Sequence, residues 1–150
     1  MRLTAKADYA VRAMVELAAQ GSPAKGDVIA ERQGIPFKFL ENILLELKHA
    51  GLVESLRGSD GGYWLARPAQ EITLADVIRA VEGPLANVRG VRPEALAYQG
   101  AAVALRTVWV ALRANVRAVL EAVTVAEVAT GDLPEIVALL TADPDVWTSH

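Results

Sequence analysis

The chain has no cysteine in its 150 residues. Disulfides, thiolate metal sites, cysteine nucleophiles and thiolate-held iron–sulfur clusters therefore lie outside its chemistry. Histidine is nearly absent as well, with His49 and the terminal His150 the only two. No Ser/His/Asp set or His-rich metal motif stands out, and "GSDGG" lacks the lysine and the strand-to-helix context of a phosphate-binding loop. Catalysis is not expected. Aromatic residues make up only 5% of the chain, so its core must be built mostly from Ala, Val and Leu. No apolar run is long enough to cross a bilayer, and Met1 is followed by Arg2, Lys6 and Asp8 rather than by a greasy stretch. The expectation is a cytoplasmic protein with neither signal peptide nor membrane anchor.

What is present reads as a globular protein of one domain or two small ones, 53% apolar and 22% charged. The net charge of −3 argues on its face against a nucleic-acid partner, but the charge is uneven. Residues 1–67 carry nine Lys/Arg against eight Asp/Glu (+1), and residues 68–150 carry six against ten (−4). A local basic surface at the first end fits this split.

Periodicity organises the chain into recognisable elements. "LTAKADYAVRAMVELAAQG" has Thr4 as a candidate cap, Ala10, Ala13, Met14, Leu17 and Ala18 at helical spacing, and Gly21 as its stop. "KGDVIAERQGIP" reads as a short helix with Val28, Ile29 and Ala30 as its apolar part and Gly34 as its end. Pro36 can start the next helix, "PFKFLENILLELKHAG", which buries Leu40, Ile43, Leu44 and Leu47. Two helices around a tight turn make a helix-turn-helix pattern. "LVESL" then alternates apolar and polar, "RGSDGG" supplies a glycine-rich turn, and "GYWLA" returns. Three helices followed by a hairpin is the winged-helix order. Thr73 caps "ITLADVIRAVEG", with Leu74, Val77, Ile78 and Val81 on one face. Pro84 to Gly100 reads as a loop with one turn of helix. From Ala101 to about Val123 a long helix is expected, because Leu105, Trp109, Leu112, Val116, Val119 and Val123 alternate four and three apart, as in a coiled-coil seam. Thr124 caps a short continuation, and "PEIVALL" looks like a last helix.

The fold class expected is mainly α with a small β-hairpin wing: a winged helix-turn-helix plus a long C-terminal dimerisation helix. Three regions follow. Residues 1–83 form the DNA-binding domain, 84–100 connect, and 101–150 hold the dimerisation helix and a tail.

The stretches "MRLTAKADYAVRAMVELA", "AGLVESLRG..GGYWLARP" and "ITLADVIRAVEG" resemble the bacterial winged helix-turn-helix repressors grouped with IscR, NsrR and CymR (the Rrf family, type two). The resemblance is dense from Met1 to about Gly83 and looser through the long helix and "VTVAEVATGDLP". It implies homodimers whose long C-terminal helices cross between subunits while wings and recognition helices face DNA. Several family members hold an iron–sulfur cluster through three cysteines in the segment matching Pro84 to Ala104, here "PLANVRGVRPEALAYQGAAVA". Asp8 matches the first-helix acid that supplies a fourth ligand in some of them. A single carboxylate without thiolates does not hold such a cluster, so no cofactor is expected.

The candidate DNA-binding residues are Arg2, Thr4 and Lys6 at the first helix; Pro36, Lys38, Phe39 and Glu41 at the recognition helix; and Arg57, Gly58, Gly61, Gly62 and Tyr63 in the wing. The start of the recognition helix enters the major groove in this motif. Lys38 suits a guanine edge or a phosphate, and Glu41 a cytosine amino group, unless the two simply pair with each other on the surface. Phe37 is expected in the core, Phe39 less so. Arg57 is either a solvated loop arginine or a finger for a narrow, A·T-rich minor groove, and the glycines would let the backbone approach phosphates. Lys25 and Lys48 are further phosphate candidates, and Arg67 reaches either a phosphate or an acidic neighbour. Of Tyr63 and Trp64, one is expected to pack the hairpin down. The dimerisation residues expected are Leu105, Trp109, Leu112, Val116, Val119 and Val123.

The function expected is a homodimeric repressor of a roughly palindromic operator in double-stranded DNA. The alternative is a protein-interaction adaptor that keeps the fold without DNA binding. A small-molecule effector near Trp109, Tyr98 and residues 101–104, a protein effector and no effector at all are each open.

Overall fold

The structure, a computed structural model, describes residues 2–21 and 23–150. Helix α1 spans Ala5–Gln20. The Thr4 hydroxyl oxygen accepts from the Ala7 N–H at 3.0 Å, and Gly21 ends the helix. Its buried face of Ala7, Ala10, Ala13, Met14 and Leu17 is small-sided, which lets neighbouring helices come close. Helix α2 is Gly26–Gln33 and helix α3 is Phe37–His49, with Pro36 as the cap of α3 rather than its first residue. Leu40, Ile43, Leu44 and Leu47 of α3 are buried, as their spacing predicts. Strand β1, Val53–Leu56, pairs antiparallel with β2, Gly62–Leu65, placing Glu54 opposite Trp64 and Ser55 opposite Tyr63. Ala24 adds a third rung: its N–H donates to Tyr63 O at 2.9 Å and its carbonyl accepts from Tyr63 N–H at 2.8 Å. Through it the α1–α2 connection holds the hairpin in place.

Helix α4 is Leu74–Glu82, α5 is Leu105–Leu120, α6 is Val125–Thr130 and α7 is Glu135–Thr141. The starts of α4 and α6 are near copies of one another. Thr73 and Asp76 form a capping box, and so do Thr124 and Glu127. The two caps lie side by side: Leu74 N–H donates to Val123 O and Val125 N–H donates to Ile72 O, both at 2.9 Å. "ITLAD" and "VTVAE" thus form a short antiparallel clasp that returns the chain to α1. Each cap contributes about 1 kcal/mol on general grounds. Val125, fully buried, joins Met14, Ile29, Leu40, Leu44, Leu47, Ile72 and Val77 in one core.

Several expectations change. The long helix runs 105–120, not 101–123, with a 3₁₀ turn over Gly100–Ala102 before it. Val123 lies beyond its end and is 3% exposed in the chain's own core, so it is a core residue and not part of a dimer seam. Phe37 is 44% exposed and Val28 also reaches the surface. The connecting segment has its one helical turn, a 3₁₀ turn at Pro93–Ala95, and adds to it a tight turn with Val88 and Val91 exchanging both backbone bonds and buried Leu85, Pro93 and Leu96. Among the described residues no helix is long and apolar enough to cross a membrane.

Candidate nucleic-acid interface

The exposed side of α3 lies between two other elements. On one flank, Ala5, Lys6 and Tyr9 of α1 face Phe39, Asn42, Ile43 and Glu46 across a groove of about 350 Å³. On the other, Leu45 and Lys48 face Lys25, Ser55, Leu56, Arg57, Gly58 and Tyr63 across a second groove of about 350 Å³. The start of α1, the outer face of α3 and the root of the wing are therefore contiguous. Along that face Lys38, Glu41, Asn42, Leu45, Lys48 and His49 are exposed at three- and four-residue spacing.

Each expected site residue has a definite place. Arg2 is exposed at the start of the described chain. The Thr4 hydroxyl is engaged twice, accepting from Ala7 N–H and donating to the Glu82 carboxylate of α4. Lys6 pairs with Glu46 at 2.9 Å. Such an exposed pair is worth only about 0–1 kcal/mol, so the lysine can change partners cheaply. Pro36, Lys38, Phe39 and Glu41 are all exposed, Phe39 at 63%. Among the described residues, neither Lys38, Glu41 nor Arg57 has an ion-pair partner. The alternative of a surface pair between Lys38 and Glu41 is not seen among the described residues.

The wing is braced from two sides. Lys25 donates to the Gly58 carbonyl at the tip, and Lys48 Nζ donates to Ser55 Oγ at 2.9 Å. Both lysines are part of the hairpin's support, a role that sequence spacing did not reveal because the partners are distant in the chain. Trp64 Nε1 donates to Glu54 across the hairpin at 2.9 Å, while Tyr63 packs against the core and Gly26, so Tyr63 is the aromatic that seats the hairpin. Arg67 finds an acidic neighbour, Asp76, at 3.6 Å.

The three wing glycines divide. Gly58 is exposed at the tip. Gly61 and Gly62, expected to meet phosphates, are buried. A Cβ on Gly61 would sit 2.0 Å from Leu56 O, and one on Gly62, at φ +145°, would sit 2.8 Å from Ala24 O. They are glycines because the turn packs backbone against backbone there.

The face of α5 expected to form a seam is shared. Trp109 Nε1 donates to Tyr98 Oη at 3.0 Å, tying the helix to the connecting segment. Val116 and Leu120 face Ala7, Ile78 and Leu85 of the same chain. Leu105, Leu112 and Val119 remain on the outer flank, joined by Val108, which the seam pattern missed; Val108 is 53% and Leu112 39% exposed.

Three helices, a hairpin braced against them and a free helical face between its flanking grooves define a winged helix-turn-helix protein. Comparison with known proteins places it further. The family model described as "Rrf2: Iron-dependent Transcriptional regulator" matches residues 3–131. An HTH-type transcriptional regulator of Mycobacterium tuberculosis is 54% identical over 145 residues, covering 95% of this chain and 90% of that protein. CymR of Bacillus subtilis is 33% identical over 132 residues, 87% of this chain and 91% of that one. Among solved structures, CymR, the global cysteine regulator of B. subtilis, superposes with a TM-score of 0.74 at 32% identity, covering 87% of this chain and 97% of that one. IscR of T. potens gives 0.69 at 30% identity, covering 100% and 93%. The chain belongs to the Rrf2 family and is a transcriptional regulator of the helix-turn-helix type.

The iron in the family's description does not fit this chain's donors. There is no cysteine, and among the described residues no group of three His, Asp or Glu side chains is close enough to hold a metal ion. Asp8 is engaged by Arg12 one turn along α1 at 3.0 Å.

Proposed function

We propose that the protein is a homodimeric, sequence-specific DNA-binding repressor that works without an iron–sulfur cluster. The observation that carries this reading is the exposed face of α3, from Lys38 to Lys48, on which Lys38 and Glu41 have no ion-pair partner among the described residues, set between the α1 start and a wing that presents Arg57. The width of one helix matches the major groove, and the wing beside it suits the adjacent minor groove. Lys38 and Asn42 offer hydrogen-bond groups to base edges, and the exposed Phe39 offers an apolar surface to a thymine methyl. Arg57 enters the minor groove, where a narrow A·T stretch concentrates negative potential. Lys25 and Lys48 hold the hairpin that aims it. The overall acidity is no obstacle, because only the face in contact must complement the duplex.

The outer flank of α5 supplies the second copy. Leu105, Val108, Leu112 and Val119 form an apolar strip, with Val108 and Leu112 exposed and Leu105 and Val119 half-buried at its edges, and a two-fold contact along it would put two α3 helices on one duplex.

Arg57→Ala tests the wing. With a duplex carrying the chain's own promoter, fluorescence anisotropy is expected to show roughly tenfold weaker binding, the scale of a lost charge-assisted contact. Wild-type affinity should also fall steeply with salt. Unchanged affinity in Arg57→Ala would remove the wing from the account. Weak retention of every duplex regardless of sequence would favour the adaptor instead.

A further inference from the structure

Four arginines that are far apart in sequence line one cleft. Arg79 comes from α4, Arg92 from the connecting segment, and Arg113 and Arg117 from successive turns of α5; Gly83, Pro84, Leu85 and Glu94 complete the wall. The cleft measures about 430 Å³, within the range of small-molecule sites. Two carboxylates serve the four guanidinium groups. Glu94 takes Arg113, and Glu121 is shared by Arg79 and Arg117, at 3.0 Å from Arg117 Nε. Arg92 has no ion-pair partner among the described residues. The positive charge is thus half compensated.

Two further features set this cleft apart from a surface cluster. The Arg113 side chain is only 20% exposed, so its guanidinium is largely withdrawn from solvent at the wall. The segment that carries Arg92 is strained: Ala86 and Arg89 adopt φ of +54° and +51°, a left-handed conformation that side chains other than glycine rarely take. Strain of this kind persists where the surroundings over-determine it, commonly at ligand sites. Hydrogen bonds in this cluster hold both carboxyls below the usual range. Glu94 is lowered first by its own backbone N–H and then by Arg113 and Arg92, and Glu121 first by Arg79 and then by Arg117.

We propose that this cleft binds a small dianion, a dicarboxylate or a phosphate monoester, with Arg92 and Arg113 forking onto its oxygens and Arg79 and Arg117 completing the positive wall. Guanidinium groups suit this task because each presents paired N–H donors that match an oxyanion's edge. Glu94 competes with the ligand for Arg113 and so sets the affinity. The bound anion would bridge α4, the connecting segment and α5, the junction between the DNA-binding half and the outer strip. That consequence rests on the regulator reading; the binding does not, and its test uses no DNA.

The test is calorimetric titration of the full chain with inorganic phosphate and, separately, with succinate, sodium chloride holding the ionic strength constant. Saturable binding of at least one probe is expected, and the preferred probe identifies the headgroup. Arg92→Gln is expected to weaken it about tenfold, as loss of a charged hydrogen-bond donor does. Glu94→Gln is expected to tighten it severalfold by releasing Arg113, a change of sign that a merely structural role would not give. Absence of saturable heat with both anions, or equal affinity in the wild type, Arg92→Gln and Glu94→Gln, would overturn the proposal.

Discussion

Val108→Glu combined with Leu112→Glu is expected to make the protein monomeric and to lower operator affinity by roughly 100-fold or more, the scale at which two linked contacts exceed one. Both side chains already meet solvent within their own chain, at 53% and 39%, so carboxylates there can reach water and cost the subunit little of its own packing. Glutamate is also a good helix former, so α5 should persist. In a two-fold contact the same residues would face their own copies, and burying like charges against each other costs several kcal/mol. Sedimentation should then report one subunit with unchanged circular dichroism. A double variant that stays dimeric would show that the outer strip of α5 is not where the copies meet. One that becomes monomeric but keeps full operator affinity would show that pairing is not needed for binding.

Gly61→Ala should be the most damaging single methyl in the wing. The new Cβ would lie 2.0 Å from Leu56 O and 2.9 Å from Arg57 C, and both neighbours are backbone that cannot swing aside as a side-chain end would. The turn must open, which breaks the Gly61 N–H to Gly58 O bond of 3.1 Å and displaces Arg57. A loss of about 2–4 kcal/mol is expected, from overpacking and strain together. For a chain of this length that lowers Tm by roughly 5–12 °C. Ser59→Ala, on the exposed tip, should stay within about 0.5 kcal/mol of wild type. Thermal unfolding of the two variants side by side checks the contrast. A Gly61→Ala protein as stable as Ser59→Ala would mean that the turn is not held as described.

The elements were readable because their signals are local. Thr4, Thr73 and Thr124 cap helices whose apolar spacing is unambiguous, and Gly21 and Gly131 end the first and last of these. The hairpin was readable from alternation on either side of "RGSDGG". The site was less so, and for particular reasons. Phe37 looks like a core residue, yet it is 44% exposed, because hydrophobicity alone does not say which apolar side chains are buried. The α5 stripe is apolar on two flanks, one against its own chain through Trp109, Val116 and Leu120 and one outward, and a four-three spacing does not say which is which. Val123 continues that spacing by arithmetic, yet the helix has already stopped, and Val123 turns in so that its carbonyl accepts from the Leu74 N–H in the clasp. The support from Lys25 and Lys48, and the gathering of Arg79, Arg92, Arg113 and Arg117, depend on tertiary proximity that no local pattern encodes.

Selection of bound sequences from a random duplex library by the purified full-length chain tests the central claim most directly. The account predicts enrichment of a two-fold symmetric site whose halves lie about one helical turn apart, with an A·T-rich stretch where each wing descends. Recovery of no preferred sequence, or of a single asymmetric half-site bound by one subunit, would contradict it.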